Sequence, residues 1–453
     1  MSHTVSRRAL LRSTAMLAGA SALAGCAPKV VEKVVKETVV VAGTPQVVER
    51  EVTAVPTKVG NVVLSYLVVG GGVRDKLYGE SVDRFNKANG PGLTVKMEPL
   101  VGNDEQVQQK ILTMIAAGTV PDVVHVDTMF INQLAPTGVL LPLDDMPGAK
   151  ELFDAIWPGA MAPLIIDGKT WAVPIRANSV QYYYNKDMAK EAGLDPETPP
   201  VYLSDLTEWA AKMTKKDATG QVECFGYDYK FSNKNASWTL HAWYPLIWGY
   251  KGRVLDDNGR AAFNGDAGIK ALQWWVDLKK AQYAPESSID NGLEFKKVAS
   301  TITGEWEIYH LKNEVGLNLG VARFPYPEGG EHAIPLGGRT LVIYKANPHP
   351  ELAWKLIQHV MSKEEQMFVT KGMGGLTPRR DVLDDPWWDQ NPEYKLTLLD
   401  MEFVRPKDAT PYFMQLIDIM LRCFQRAILE GMPPAESLNQ AAAEFNALVE
   451  GKK

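Results

Sequence analysis

The chain has 453 residues, 45% of them hydrophobic and 23% charged, with a formal net charge of −6. That length accommodates two or three domains with full cores, and the composition excludes a disordered or fibrous chain. The acidic balance argues against nucleic acid as a partner.

The first residues read as an address rather than as structure. Arg7 and Arg8 precede an apolar run, Leu10 and Leu11 follow them, and residues 13–24 are rich in Ala and Gly. The pattern resembles a twin-arginine export signal, too short and too weakly apolar to span a membrane. Leu23-Ala24-Gly25-Cys26 resembles a lipobox. Cleavage before Cys26 would free its amine and thiol for acylation and tie the chain to a membrane. Removing residues 1–25, which hold three arginines and no acid, leaves a formal charge of −9.

Residues 30–58 repeat Val-Val-Glu/Lys units, with Pro45 and Pro56 as breakers. With no pattern for a core, residues 26–59 read as a lipidated Cys followed by a tether. As a flexible coil it would reach roughly 30 Å. The Val content also allows a hairpin at the edge of the folded body.

The body starts near residue 60. Residues 62–69 form a buried type of strand, followed by Gly70-Gly71-Gly72. Val73, Leu77 and Phe85 share one helical face, and residues 93–97 alternate as a strand. Val107, Ile111, Met114 and Ile115 mark a second helix ending at Gly118, and residues 121–126 make a third strand with Asp127 beyond its end. The β-α-β-α-β order predicts an open, mainly parallel sheet, whose ligands bind past the carboxyl ends of the strands. The glycines lack the G-x-G-x-x-G spacing of a dinucleotide site.

Residues 168–200 are the most informative stretch. A Gly168-Lys169 turn leads to Trp171, a short strand over 172–175 and the polar joint Arg176-Ala177-Asn178. A strand of aromatic and β-branched residues follows over 180–184, then a helix with Asp187 as a plausible cap, ended by Gly193. Two strands meeting at one polar joint fit a chain leaving one sheet for another. Gly168, Lys169, Trp171, Pro174, Tyr184, Asn185, Lys186 and Asp187 stand in the spacing of the first lobe crossing of family 1 extracellular solute-binding proteins. These are the maltose-binding-protein-like receptors of ABC sugar importers, and the stretch resembles their signature. In that family the joint after Pro174 faces the ligand, which implies a binding role for Asn178.

The resemblance extends in both directions. Residues 116–124 read A-A-G-x-x-P-D-V-V, and a Gly138-to-Leu143 segment follows. Residues 237–250 hold Trp238, His241, Trp243, Tyr244 and Trp248, in a chain of 12 tryptophans. Sugars stack their C–H faces on such rings, which makes Trp238 and Trp243 either platform or core. Trp306, in Gly304-Glu305-Trp306, stands where the family places a sugar-stacking Trp. Residues 337–343 resemble the strand that re-joins the first lobe and carry Arg339. Residues 347–361 match the family's N-P-E-x-A-W helix, and Gly375 to Arg380 resemble the third crossing, with Arg379 beside it. A helix with Phe413, Leu416, Ile417, Met420, Leu421 and Phe424 on one face closes the chain.

The resemblance implies a two-lobed α/β fold of the type II periplasmic-binding-protein class, each lobe a mainly parallel sheet flanked by helices. Residues 60–175 plus 338–376 would form lobe one, and 176–337 plus 377–450 lobe two. It implies an extracytoplasmic receptor, not an enzyme, that hands a sugar or oligosaccharide to the transmembrane subunits of an ABC permease. The expected ligand groups are Asp127, Asn178, Trp238, Trp243, Trp306, Arg339 and Arg379, with Cys26 the lipid anchor and the protein a monomer. The two arginines keep open an acidic or phosphorylated solute, such as a uronate or glycerol phosphate, unless each merely pairs with a nearby acid such as Asp381 or Asp384. A surface carbohydrate-active enzyme is the rival from another class, since Asp127 and Glu305 are both carboxylates. No C-x-x-C, H-E-x-x-H or Walker motif occurs, and no cofactor or metal is expected. After lipidation Cys224 and Cys423 remain, either two buried thiols or a disulfide.

Overall fold

The computed structural model describes residues 33–41, 44–52, 61–102, 104–232, 234–408 and 410–451. The export signal and Cys26 lie outside the described residues. Residues 33–52 belong to one unit and residues 63–453 to another. In the first, β1 (Lys33–Val41) pairs antiparallel with β2 (Thr44–Val52), Lys33 opposite Val52 and Val41 opposite Thr44. The coil expected here is corrected between 33 and 52: runs of β-branched valine favour extended backbone, and two such runs close together pair with each other.

The second unit is built around two larger sheets. In the first, β3 (Val62–Val69) leads through Gly70–Gly72 into α1 (Val73–Asn89), then β4 (Leu93–Leu100), α2 (Asp104–Ala117) and β5 (Val123–Asp127). Leu64, Tyr66 and Val68 alternate into the core, whereas every residue of β5 is buried, as befits a central strand covered on both faces. The chain then runs through β6 (Val173–Asn178), and after Ser179 through β7 (Val180–Asn185). The helix after β7 is capped by Asn185, whose Oδ1 accepts from the backbone of Asp187 and Met188, rather than by Asp187.

The chain continues with α3 (Leu203–Met213), α4 (Ala236–Gly249), α5 (Asp266–Lys280), β8 (Ser300–Gly304) and β9 (Leu319–Ala322). β10 (Gly337–Val342) follows, then α6 (Pro350–Val360), α7 (Lys363–Met373), α8 (Phe413–Ile428) and α9 (Pro434–Val449). The sheets are ordered β4-β3-β5-β10-β6 and β8-β7-β9.

Strand direction is mainly parallel in the first sheet, as expected, with β3, β5 and β6 sharing one direction, and departs from that expectation in the second. β3 and β5 are parallel, but β10 runs antiparallel to both its neighbours, and β8 and β9 run antiparallel to β7. The cause is topological: β10 arrives after β9 of the second sheet instead of through a crossover helix, so nothing constrains it to the direction of β5. Helices α8 and α9 pack on α4 and α5. Cys224 and Cys423 are both buried free thiols, held by burial at a pKa of about 11.

Candidate functional site

A cleft of about 370 Å³ opens where the strand ends of the first sheet face α4 and the turn after β8. Asp127 is the last residue of β5, and Arg339 on β10 lies opposite it in register. On its other flank Arg339 lies opposite Arg176 of β6. The register slips between Arg339 and Thr340, so Ile175 has no partner. Such a bulge bends a strand and re-aims side chains near a site. Gly338, at φ 140, permits the close approach: a Cβ there would stand 2.2 Å from the carbonyl of Arg176.

Charge is unevenly shared along this edge. Arg339 donates from Nη1 to Asp127 Oδ2 at 3.0 Å, and the pair is nearly buried. Asp127 Oδ1 also accepts from the backbone of Met129. Among the described residues Arg176 has no such carboxylate, and its buried Nε has no partner. Burial, then the charges of Arg74 and Arg339, draw its pKa down to about 10. Beneath them His125 holds Tyr66 at 2.7 Å, and burial followed by Arg176, Arg339 and Arg74 keeps its imidazole neutral well below the usual range.

The opposite wall is aromatic. Asn235 caps α4 by accepting from the backbone of Trp238, which sets Trp238 and His241 on the helix's first turns. Trp238 stacks on His241 at 4.9 Å and meets Trp306 edge-on at 5.4 Å. The Trp306 ring folds back over Gly304, where a Cβ would come within 2.1 Å of it. Together the rings make a half-buried corner with two apolar faces.

A buried bond joins the two walls. Asn178 Nδ2 donates to Glu305 Oε1 at 2.8 Å, while Asn178 Oδ1 and Glu305 Oε2 have no partner. Burial raises the Glu305 pKa to about 7 against the pull of Arg176.

The structure therefore gathers Asp127, Asn178, Trp238, Trp306 and Arg339 into one cleft. Two expected ligand groups stand elsewhere. Trp243 is fully buried against Phe424 of α8, because α4 is apolar on all sides and that face seals the lobe. Arg379 is held bidentately by Asp381 at 2.8 and 2.6 Å and by the Met361 carbonyl, outside the cleft lining. Sequence reasoning missed Arg74, Arg176, His241 and Lys407. Arg74 lies in the first turn of the helix that follows the Gly70–Gly72 turn, and Arg176 opens the polar joint, so both positions carried a signal; Lys407 carried none.

The family described as bacterial extracellular solute-binding protein matches residues 80–396. A putative binding protein of Brucella abortus is 24% identical over 82% of this chain and 90% of its own. The maltodextrin-binding protein of Bacillus subtilis is 30% identical over 54% of this chain and 57% of its own. Among solved structures, the cyclic alpha-maltosyl-1,6-maltose binding protein from Arthrobacter globiformis superposes with a TM-score of 0.76 at 22% identity, covering 86% of this chain and 100% of that one. At that identity the likeness shows the two-lobed fold alone.

Proposed function

Because the chain belongs to the bacterial extracellular solute-binding proteins, we propose that it is the receptor of an ABC importer, capturing a sugar or oligosaccharide and delivering it to the permease. The observation that carries this reading is the pairing of the Trp238–Trp306 corner with the polar strand ends Asp127, Asn178 and Arg339 across one cleft. Rings receive the flat faces of a pyranose, and amide, carboxylate and guanidinium groups bind its hydroxyls. The sugar-binding names of the Bacillus and Arthrobacter proteins support the same class of ligand. Lobe one takes in residues 60–175 and 338–376, lobe two 176–337 and 377–450, and closure occurs by hinge motion at the crossings. The protein is a monomer without catalytic turnover, held at the membrane by a lipid on Cys26.

The test is thermal melting and calorimetry against a panel of oligosaccharides, with the sugar recovered afterwards. A ligand at a hundredfold excess over Kd stabilises by about 2.7 kcal/mol. Recovery of a shortened or altered sugar would make the protein an enzyme, and silence across the panel would remove the saccharide reading.

A further inference from the structure

The cleft holds more positive charge than its own acids neutralise. Arg339 is matched by Asp127 at 3.0 Å, and Lys230 lies 3.5 Å from Asp228. Arg74 and Arg176 have no carboxylate partner among the described residues, and both line the cleft and its extension towards α1. Glu307 and Glu314 also line this space, Glu314 held by His310, and neither forms an ion pair with Arg74 or Arg176; two further acids stand nearby. Asp75 spends its Oδ1 on the backbone of Gly71 at 2.9 Å, and Glu305 accepts from Asn178 instead of from an arginine.

A half-buried guanidinium without a counter-charge is costly, and a second one nearby adds repulsion. Neutral sugar hydroxyls relieve little of that cost, whereas an oxyanion offsets both charges at once through paired N–H···O bonds. Two further features favour an anion. The first turn of α1, a helix of 17 residues without a side-chain cap, lines the same space with Gly72, Val73 and Arg74. Its amide groups and dipole favour negative charge. The unpartnered Nε of Arg176 is the independent donor at that end of the cleft.

We propose that the saccharide carried by this protein bears an oxyanion group, a carboxylate or a phosphate ester, received by Arg74 and Arg176 at the α1 end of the cleft while its ring stacks on Trp306. The inference rests on the saccharide reading and narrows it. Arg339, tied to Asp127, orients the sugar hydroxyls, and Arg379 takes no part.

Calorimetry on the full-length protein tests this with maltotriose, digalacturonate, glucuronate, glucose 6-phosphate, glycerol 3-phosphate and inorganic phosphate. The expected result is an acidic sugar bound at least about tenfold tighter than maltotriose, with affinity falling between about 0.05 and 0.5 M NaCl. Preference for digalacturonate or glucuronate identifies a carboxylate, and preference for glucose 6-phosphate identifies a phosphate ester. Arg176→Gln and Arg74→Gln should each collapse the ratio of acidic to neutral affinity, and Arg176→Lys should restore part of it. Melting temperatures accompany both variants, and Arg74, on the first turn of a surface helix, serves as the arm that keeps the fold if Arg176→Gln does not. Tight maltotriose binding with no acidic preference overturns the anion inference and leaves the saccharide reading standing. Binding of inorganic phosphate or glycerol 3-phosphate with no sugar bound keeps the oxyanion pocket and overturns the saccharide reading. Binding of none overturns both.

Discussion

Asn178, the last residue of β6, and Glu305, the first residue after β8, join the two sheets through a buried 2.8 Å hydrogen bond. The bond lies at the joint where the chain passes from the first sheet to the second. Its carboxyl is fully buried, with the charges of Arg176 and Arg74 nearby and the Tyr183 and Tyr394 hydroxyls also within electrostatic range.

Glu305 makes stability depend on pH in a definite direction. Its folded pKa, about 7, exceeds the ordinary 4.5, so the native state holds a proton that the unfolded chain releases. The contribution is fully present below pH 4.5 and is lost as pH rises through 7, amounting to about 3 kcal/mol at the alkaline limit. Glu305→Gln keeps an acceptor for Asn178 without the charge. Its melting temperature should rise relative to wild type across that window. A gap between the two proteins that stays constant from pH 4 to 8 would dismiss the assignment.

Of the three tryptophans on α4, Trp238 and Trp243 should behave oppositely. Trp306→Ala and Trp238→Ala should weaken ligand binding by about 1–3 kcal/mol with a modest change in melting. Trp243→Ala should cost about 3–5 kcal/mol of stability by opening a core cavity, while the folded fraction binds normally. Equal affinity losses in Trp243→Ala and Trp306→Ala, at matched melting temperatures, would count against this division.

Gly304 positions Trp306 without touching ligand. Its φ of −118 is open to any residue, so Gly304→Ala introduces no backbone strain, only a methyl against the ring. The ring must swing away, and binding should fall nearly as far as in Trp306→Ala. Unchanged affinity in Gly304→Ala would mean that the ring's folded-back position is irrelevant to the ligand.

The Asp127–Arg339 pair should show coupling. Either single neutralisation leaves a nearly buried charge unmatched and should cost about 3 kcal/mol of stability, and Asp127→Asn with Arg339→Gln together should cost less than the sum. Arg379→Gln, which breaks the contacts to Asp381 and Met361, should alter melting but not ligand preference. Additive losses at the first pair, measured by denaturant titration, would refute the coupling.

Membrane attachment should depend on Cys26. Cys26→Ser is expected to move the protein from the washed membrane fraction to the soluble one with its melting temperature intact. Retention of the variant on membranes would point to another anchor.

Much of the architecture was readable from local chemistry. The strand at 62–69, the helix begun after three glycines, the crossing at residues 168–187 and the buried stripe of α6 follow from periods of two and 3.6 residues and from turn residues at their ends, which act over one element's length. The parallel β3–β5 pair was readable from the β-α-β order, but the antiparallel β10 was not, because it joins the first sheet without a crossover helix. The site divided in the same way. Trp238 and Trp243 sit five residues apart on α4, about 140° around the helix axis, but the helix is buried nearly all round, so no periodicity separates the ring facing the cleft from the ring facing Phe424. Arg339 and Arg379 looked equivalent in sequence. An acid two positions on captured Arg379, while Arg339 met Asp127, 212 positions away, through strand pairing. Arg74 and Arg176 come to share one cleft by the same means, because charges distant in the chain become neighbours only when strand register and helix placement bring them together.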